Sequence, residues 1–375
     1  MAGVVLVAIG AAFLGLVFTL LLRRPCHALG LVDVPDARKQ HGRIVPITGG
    51  PAIAIAVLTL VLYFSTHQAW HIYAAGLLLL ITGIADDRFG LSVGARLATQ
   101  LIAAGILVSG GLVVTSLGSL GSLGWMSVPF TVLCIVAFIN ACNMVDGADG
   151  LLAGVTAPAF LALSFVLPES LQAMALLMGG ALLGFLVVNF PAHPASRRAE
   201  WRSFLGNGGV QFVAVTLAAL LLAAVGPGGS LKPGAVQWLV LIPLAELSNT
   251  FARRLLGRKT SITSADRSHF HHRLHTAGVS PTSLALGYAA VASACVAVGI
   301  AGSLGFLTDA ALWALGGAIL GGSTTYAVMP HPYSHQYVHG AAPNPVQGAH
   351  PDLQLQYAEQ DVALERAVTD SREAA

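Results

Sequence analysis

The sequence predicts an all-α, polytopic integral membrane protein with about eleven membrane helices and its chemistry gathered at the cytoplasmic face. Three observations carry this. The chain has 375 residues, 55% of them hydrophobic and only 10% charged, with a mean hydropathy of +0.75. Soluble domains carry about 25% charged residues, so this chain lacks the polar groups to cover a water-facing surface. Second, long apolar stretches recur from end to end. Third, of the 19 Lys and Arg residues, all but Lys232 fall in alternate loops.

The apolar stretches run roughly over 3–22, 50–66, 69–85, 96–115, 128–143, 151–167, 171–190, 209–226, 235–252, 282–304 and 306–329. No basic residue precedes the first, and Arg23 and Arg24 follow it. A signal peptide has the reverse order, so 3–22 reads as a first membrane helix with its N-terminus outside. Arg38, Lys39 and Arg43 follow in the same loop. Arg88 and Arg96 flank the end of the third stretch, and Arg197, Arg198 and Arg202 follow the seventh. Arg253, Arg254, Arg258, Lys259, Arg267 and Arg273 follow the ninth, and Arg366 and Arg372 lie in the tail. Positive-inside bias places all of these in the cytoplasm, and an odd number of helices agrees with an outside N-terminus and an inside tail.

The remaining segments are plainer. SLGSLGSLG (116–124) reads as a flexible connector. No long internal repeat supports an inverted-repeat transporter. Residues 1–329 form the membrane domain. Residues 330–375, rich in Pro, His, Gln and Ala, read as a mostly disordered tail with a short helix near 354–368. The four cysteines show no pair spacing and read as small buried hydrophobes. A net charge of +2 gives no electrostatic footprint for nucleic acid.

Five polar strings interrupt this pattern. Loop 1 reads DVPDARKQHGRIVPITGG (33–50), where Arg38, Lys39, His41 and Arg43 form a cation cluster at membrane level. It serves either as topology signal and headgroup contact or as a phosphate-binding segment. Asp86 and Asp87 are adjacent acids at a helix end. Two such charges about 4 Å apart repel by roughly 4 kcal/mol at a protein-like dielectric, so the pair calls for a cation, a partner or a proton. Asn140, Asn143 and Asp146, spaced by three, share one helical face if the helix continues, with Asp149 just beyond. Carboxylates with carboxamides are hard oxygen ligands suited to Mg²⁺ or Mn²⁺. FLGNGG (204–209) opens a helix with a glycine-rich run whose N–H groups favour an anion. Finally Asp266, Arg267, His269, His271, His272 and Arg273 crowd one short loop, where phosphate contact fits better than a zinc site.

In this order the strings resemble the polyprenyl-phosphate N-acetylhexosamine-1-phosphate transferases over about residues 30–275. The family pattern DxPxxRKxH…PxxGG falls on Asp33, Pro35, Arg38, Lys39, His41, Pro46, Gly49 and Gly50. The paired acids fall on Asp86 and Asp87. NxxNxxDGxDGL falls on Asn140, Asn143, Asp146, Gly147, Asp149, Gly150 and Leu151. DRxHxHHxL falls on Asp266, Arg267, His269, His271, His272 and Leu274. The last motif looks like the branch that uses UDP-N-acetylglucosamine, since the peptidoglycan branch carries three consecutive histidines.

The resemblance implies transfer of a HexNAc-1-phosphate from a UDP-sugar to polyprenyl phosphate with release of UMP, at a bacterial cytoplasmic membrane. It implies Asp86, Asp87, Asp146 and Asp149 as catalytic residues. Arg38, Lys39, His41, Asn140, Arg267, His269, His271 and His272 would bind substrates. Mg²⁺ or Mn²⁺ would sit at Asn143 and Asn207. The partners implied are the UDP-sugar, the lipid phosphate and the bilayer, with a homodimer as an allowed assembly. Two positions depart from the family. Asn207 stands where it has a metal-binding Asp, and Glu246 stands where it has Asp. Asn207 motivates a rival reading, a relative that binds UDP-sugar or lipid phosphate without turnover. Intramembrane acids alone would motivate a transporter, but transporters place them near the midplane.

Overall fold

The computed structural model describes residues 2–34, 44–64, 69–191, 193, 201–256 and 269–329. The chain divides into two compact units, Met1–Pro35 with His41–Val328, and Asp36–Gln40 with Met329–Ala375. Of the second unit only Met329 is described, and the expected tail and its short helix lie outside the described residues. The first unit is helical: α1 (Ala2–Leu21), α2 (Arg23–Ala28), α3 (Gly49–Phe64), α4 (Trp70–Phe89), α5 (Val93–Ser109), α6 (Ser127–Val145), α7 (Leu151–Leu163), α8 (Glu169–Asn189), α9 (Gly206–Val225), α10 (Pro233–Leu239), α11 (Leu241–Leu256), α12 (Phe270–Thr276), α13 (Pro281–Ala301) and α14 (Asp309–Val328). Two short strands, β1 (Val32–Asp33) and β2 (Val45–Pro46), pair antiparallel.

Each apolar stretch expected from the sequence contains a helix, but α5 stops at Ser109 where the fourth was expected to reach 115, and α7 stops at Leu163 where the sixth was expected to reach 167. The ninth is two helices, α10 and α11, bent by 81° at Val240. Pro243 explains the break, because it lacks an N–H and its ring clashes with the carbonyl four residues back. The helix bearing Asn140 and Asn143 stops at Val145, and Asp146 is its C-cap. Asn140 and Asn143 therefore share a helix, while Asp146 lies past its end.

Among the described residues five segments are long and apolar enough to cross a membrane: Val5–Ala28, Gly124–Val145, Glu169–Asn189, Gly206–Val225 and Pro281–Phe306. Counting the bent pair makes six. The flanks are apolar and open, with Leu6, Phe13, Ile81, Leu133 and Phe165 all exposed. A surface of that kind is unstable in water and suits lipid. Trp70 and Trp125, also exposed, lie at the ends of α4 and α6 remote from the acids, where amphipathic rings meet a membrane interface.

The core is built around α9, of whose apolar stretch 89% is buried. It packs chiefly on α4, and also on α6, α3 and α7. Helices come this close only where side chains vanish. A Cβ on Gly83 of α4 would lie 2.4 Å from the Gly208 Cα of α9. That contact lets the polar ends of the two helices meet. At the opposite end of the bundle, Asp309 accepts from the Ser119 and Gly234 amides, and Lys232 donates to the Gly302 and Leu307 carbonyls. Lys232, the single exception to the charge pattern, is therefore held with Asp309 at the end away from Asp86 and Asp87.

Gly83→Ala forces α4 off α9, and overpacking of this kind costs about 1–3 kcal/mol. A fall of several degrees in the thermal unfolding midpoint of the detergent-solubilised protein is expected. An unchanged midpoint would show that the close contact is dispensable.

Candidate functional site

The acids at the end of α4 meet the start of α9. The Asp87 carboxylate accepts hydrogen bonds from the Asn207 amide at 3.1 Å and the Gly208 amide at 3.4 Å. Those N–H groups belong to the first turn of α9, where the helix dipole favours negative charge. The anion favoured by the glycine-rich string is thus Asp87 itself. Asp86 is buried and differently employed. It accepts from the Leu91 amide at 2.8 Å, from the Asn207 side-chain Nδ2 at 3.1 Å and from Arg96 at 3.3 Å. Splitting the pair between a helix terminus and a guanidinium offsets part of the repulsion expected of adjacent acids.

Asn207 lies between the two carboxylates, its backbone bonded to one and its side chain to the other. A carboxylate at this position could not donate that second hydrogen bond and would face Asp86 with like charge.

A cleft of about 170 Å³ opens beside this layer. It is lined by Asp86, Arg96, Gln100, Asn140, Asn143, Asn207 and Gln211, with Val93, Leu97 and Ile139 as its apolar wall. Asn140 donates to Gln100 Oε1 and to the Val136 carbonyl, both at 2.8 Å. Asn143 and Asn207, the expected metal ligands, thus share one cleft with Asp86. Among the described residues no three His, Cys, Asp or Glu side chains converge on one point. The cleft is furnished instead with one carboxylate and several carboxamides, hard oxygen donors of the kind Mg²⁺ takes.

The loop after α6 forms the next part. Asn189, at the end of α8, accepts from the Gly150 amide at 2.8 Å and donates to the Ser203 carbonyl at 3.0 Å. Arg202 pairs with Asp149 and lies over the Phe204 ring. Asp146 keeps partial solvent contact, but burial pushes its carboxyl well above the usual range, with further upward pushes from Asp149 and Asp87. Carboxylates from α4 and from this loop therefore share one electrostatic neighbourhood.

The histidines close the cluster. Glu246 on α11 is buried. It accepts from the Phe270 amide at 3.2 Å, from Tyr288 Oη at 3.3 Å and from His269 Nδ1 at 3.4 Å. His271 is 2% exposed, with Nδ1 3.8 Å from Glu246. Among the described residues neither of its ring nitrogens has a hydrogen-bond partner. A Cβ on Gly147 would lie 2.2 Å from His271 Nε2, so only glycine admits the ring there. His272 stacks obliquely on His271, with centroids 4.2 Å apart.

The structure thus gathers Asp86, Asp87, Asn140, Asn143, Asp146, Asp149, Asn207, His269, His271 and His272 at one polar end of the bundle. Arg38, Lys39, His41, Asp266 and Arg267 lie outside the described residues. The sequence reading did not assign site positions to Glu246, Arg96, Gln100, Asn189, Arg202 or Gln211. A lone acid inside an apolar stretch, or a glutamine within one, is the signal that marks Glu246, Gln100 and Gln211.

A helical body with apolar flanks and one polar, carboxylate-lined end defines a membrane-embedded protein that handles charged ligands at one surface. The profile of glycosyl transferase family 4 matches residues 69–225. A Bacillus subtilis (strain 168) protein named "probable undecaprenyl-phosphate N-acetylglucosaminyl 1-phosphate transferase" is 33% identical over 281 residues, 71% of this chain and 75% of its own. The undecaprenyl-phosphate alpha-N-acetylglucosaminyl 1-phosphate transferase of Escherichia coli (strain K12) is 34% identical over 276 residues, 70% of this chain and 73% of its own. That of Yersinia pestis is 31% identical over 274 residues, 70% and 74% respectively. The chain belongs to glycosyl transferase family 4.

Asp87→Ala removes the charged cap of α9. It is expected to lower stability by about 1 kcal/mol, as other N-terminal caps do, read as a lower thermal midpoint in detergent. A midpoint at or above that of the parent would refute the capping role.

Proposed function

We propose that this chain transfers N-acetylglucosamine 1-phosphate from its UDP-sugar to undecaprenyl phosphate, releasing UMP. The family supports the chemistry, and the relatives' names supply the lipid and the sugar. One observation in the structure carries the reading. His271, buried with both nitrogens unbonded, lies against the loop of Asp146 and Gly147 and beside Glu246. An imidazole N–H there is a ready donor to a phosphate oxygen.

In this reading an oxygen of the lipid phosphate attacks the sugar-linked phosphorus. A new P–O bond forms, the bond to the bridging oxygen breaks, and UMP leaves with its electron pair. Both reactants are anionic, so the site must hold positive charge. Mg²⁺, held by Asn143 and Asn207 beside Asp86, supplies it when bound. His269, His271 and His272 donate to the pyrophosphate, with Arg38, Lys39, His41 and Arg267 as further phosphate partners. Asp86 and Asp87 orient the lipid phosphate through the ends of α4 and α9. That phosphate, with a second pKa near 6, is largely ionised at pH 7 and needs little help from a base. Asp146 and Asp149 hold the loop against which the donor lies, Asp149 through Arg202.

The finer arrangement belongs to the same proposal: eleven crossings of the bacterial cytoplasmic membrane, N-terminus outside, polar end and 330–375 tail inside. Segregated cations support it. The relatives' names give the binding-only reading no support.

Membranes containing the chain, supplied with undecaprenyl phosphate, Mg²⁺ and a panel of UDP-sugars, are expected to release UMP most rapidly with UDP-N-acetylglucosamine. Lipid-linked product should form in step. Chelation of the metal should stop it, and Asp87→Asn should abolish it. UMP release that ignores the lipid acceptor, or full turnover by Asp87→Asn, would reject the assignment. Gly147→Ala should keep the fold but cost at least tenfold in rate, because a methyl displaces His271. A variant as fast as the parent would remove His271 from the reaction.

A further inference from the structure

We infer that Gln211 is a ligand of the divalent cation in this chain, joining Asn143, Asn207 and Asp86 in a seat that extends one helical turn deeper into the bundle. The inference rests on the metal-dependent reading above and names a residue to which that reading gives no part.

Gln211 is 5% exposed, and its Oε1 is buried without a hydrogen-bond partner. It lines the same cleft as Asn143, Asn207 and Asp86. On α9 it stands four residues after Asn207, so the two side chains share one face of the helix. A buried carbonyl oxygen on a cleft-lining side chain, with no donor among the described residues, is suited to accept something from outside the protein.

The rest of the lining says what that is. Asn207 spends an Nδ2 hydrogen on Asp86. Asn140 spends its Nδ2 on Gln100 and Val136. Neither carboxamide oxygen accepts a hydrogen bond among the described residues. Arg96, the guanidinium of the lining, is paired with Asp86, and the two carboxamide oxygens remain beside that carboxylate. Such a lining attracts a hard cation in preference to an anion or another carbonyl. The apolar wall of Val93, Leu97 and Ile139 keeps the local dielectric low, which strengthens each ion–dipole contact.

Charge accounting points the same way. Asn207 brings an oxygen but no negative charge. Among the described residues Asp86 is the one carboxylate lining the cleft, and Arg96 already balances its charge, so a further neutral oxygen adds coordination that the site otherwise lacks. Gln211 supplies it from the adjacent turn of the same helix.

Purified full-length protein in detergent, without substrates, tests this through Mn²⁺ binding followed by electron paramagnetic resonance of the free ion. Gln211→Met keeps the length and removes the oxygen, and Mn²⁺ should bind roughly tenfold more weakly, the lower end of what disturbed metal sites lose. Gln211→Glu and Asn207→Asp each add a charge, and both should bind Mn²⁺ more tightly than the parent. Mn²⁺ should raise the thermal midpoint of these two most. Parent-like Mn²⁺ affinity in Gln211→Met overturns the inference. So does a parent chain that binds no Mn²⁺. If Gln211→Met weakens only UDP-N-acetylglucosamine binding, the oxygen serves the sugar instead. Should Gln211→Met fail to fold, Gln211→Glu decides, since unchanged Mn²⁺ affinity there also overturns the inference. A chain that binds Mn²⁺ as described yet releases no UMP defeats the transferase reading and leaves the seat intact.

Discussion

Two carboxylates at the end of one helix, set against the first turn of another, are the contact on which the site depends. Asp87 seats on the amides of Asn207 and Gly208, and Asp86 takes the Asn207 side chain and Arg96. Neither could do so if α4 and α9 were held apart by ordinary side chains. The Gly83–Gly208 contact is therefore a functional constraint as much as a packing one. It brings an acidic helix end onto a helix N-terminus, where burying the charge is offset by the dipole and by directed hydrogen bonds.

The second half of the site follows a similar rule. Glu246 would be an expensive charge inside an apolar helix pair if it stood alone. It is offset by the N-terminal amide of α12, a tyrosine hydroxyl and two imidazoles. The break at Val240 re-aims α11 within the stretch that the hydrophobic pattern reads as continuous. The cost of burying one acid is met by ordering the histidine segment, which fixes where His271 lies relative to Gly147. The glycine then does at the loop what Gly83 does at the helix: it removes a side chain so that a functional group can approach.

Asn207 takes on meaning in this frame. A carboxylate there would add charge for a cation and would also repel Asp86 in its absence. The carboxamide gives up that charge and bridges the two acids by hydrogen bonds. One side chain thereby links the two acids.

Composition, the apolar periodicity and the segregation of cations determined a helical membrane protein and located its apolar helices, because lipid demands long apolar helices and the signal is additive along the chain. The spacing of Asn140 with Asn143, the Asp86–Asp87 pair and the histidine string were legible for the same reason, since each is local. Tertiary structure alone decided the rest. It ended α6 before Asp146, broke the ninth stretch, and chose Asp87 as the anion for the α9 terminus. It also brought into the site Glu246, which the sequence marked only as a departure from the family's Asp, and Gln211, which read as part of an apolar stretch. Those outcomes turn on which helices touch and at what depth, a property of three-dimensional packing that hydrophobic pattern and motif spacing do not encode.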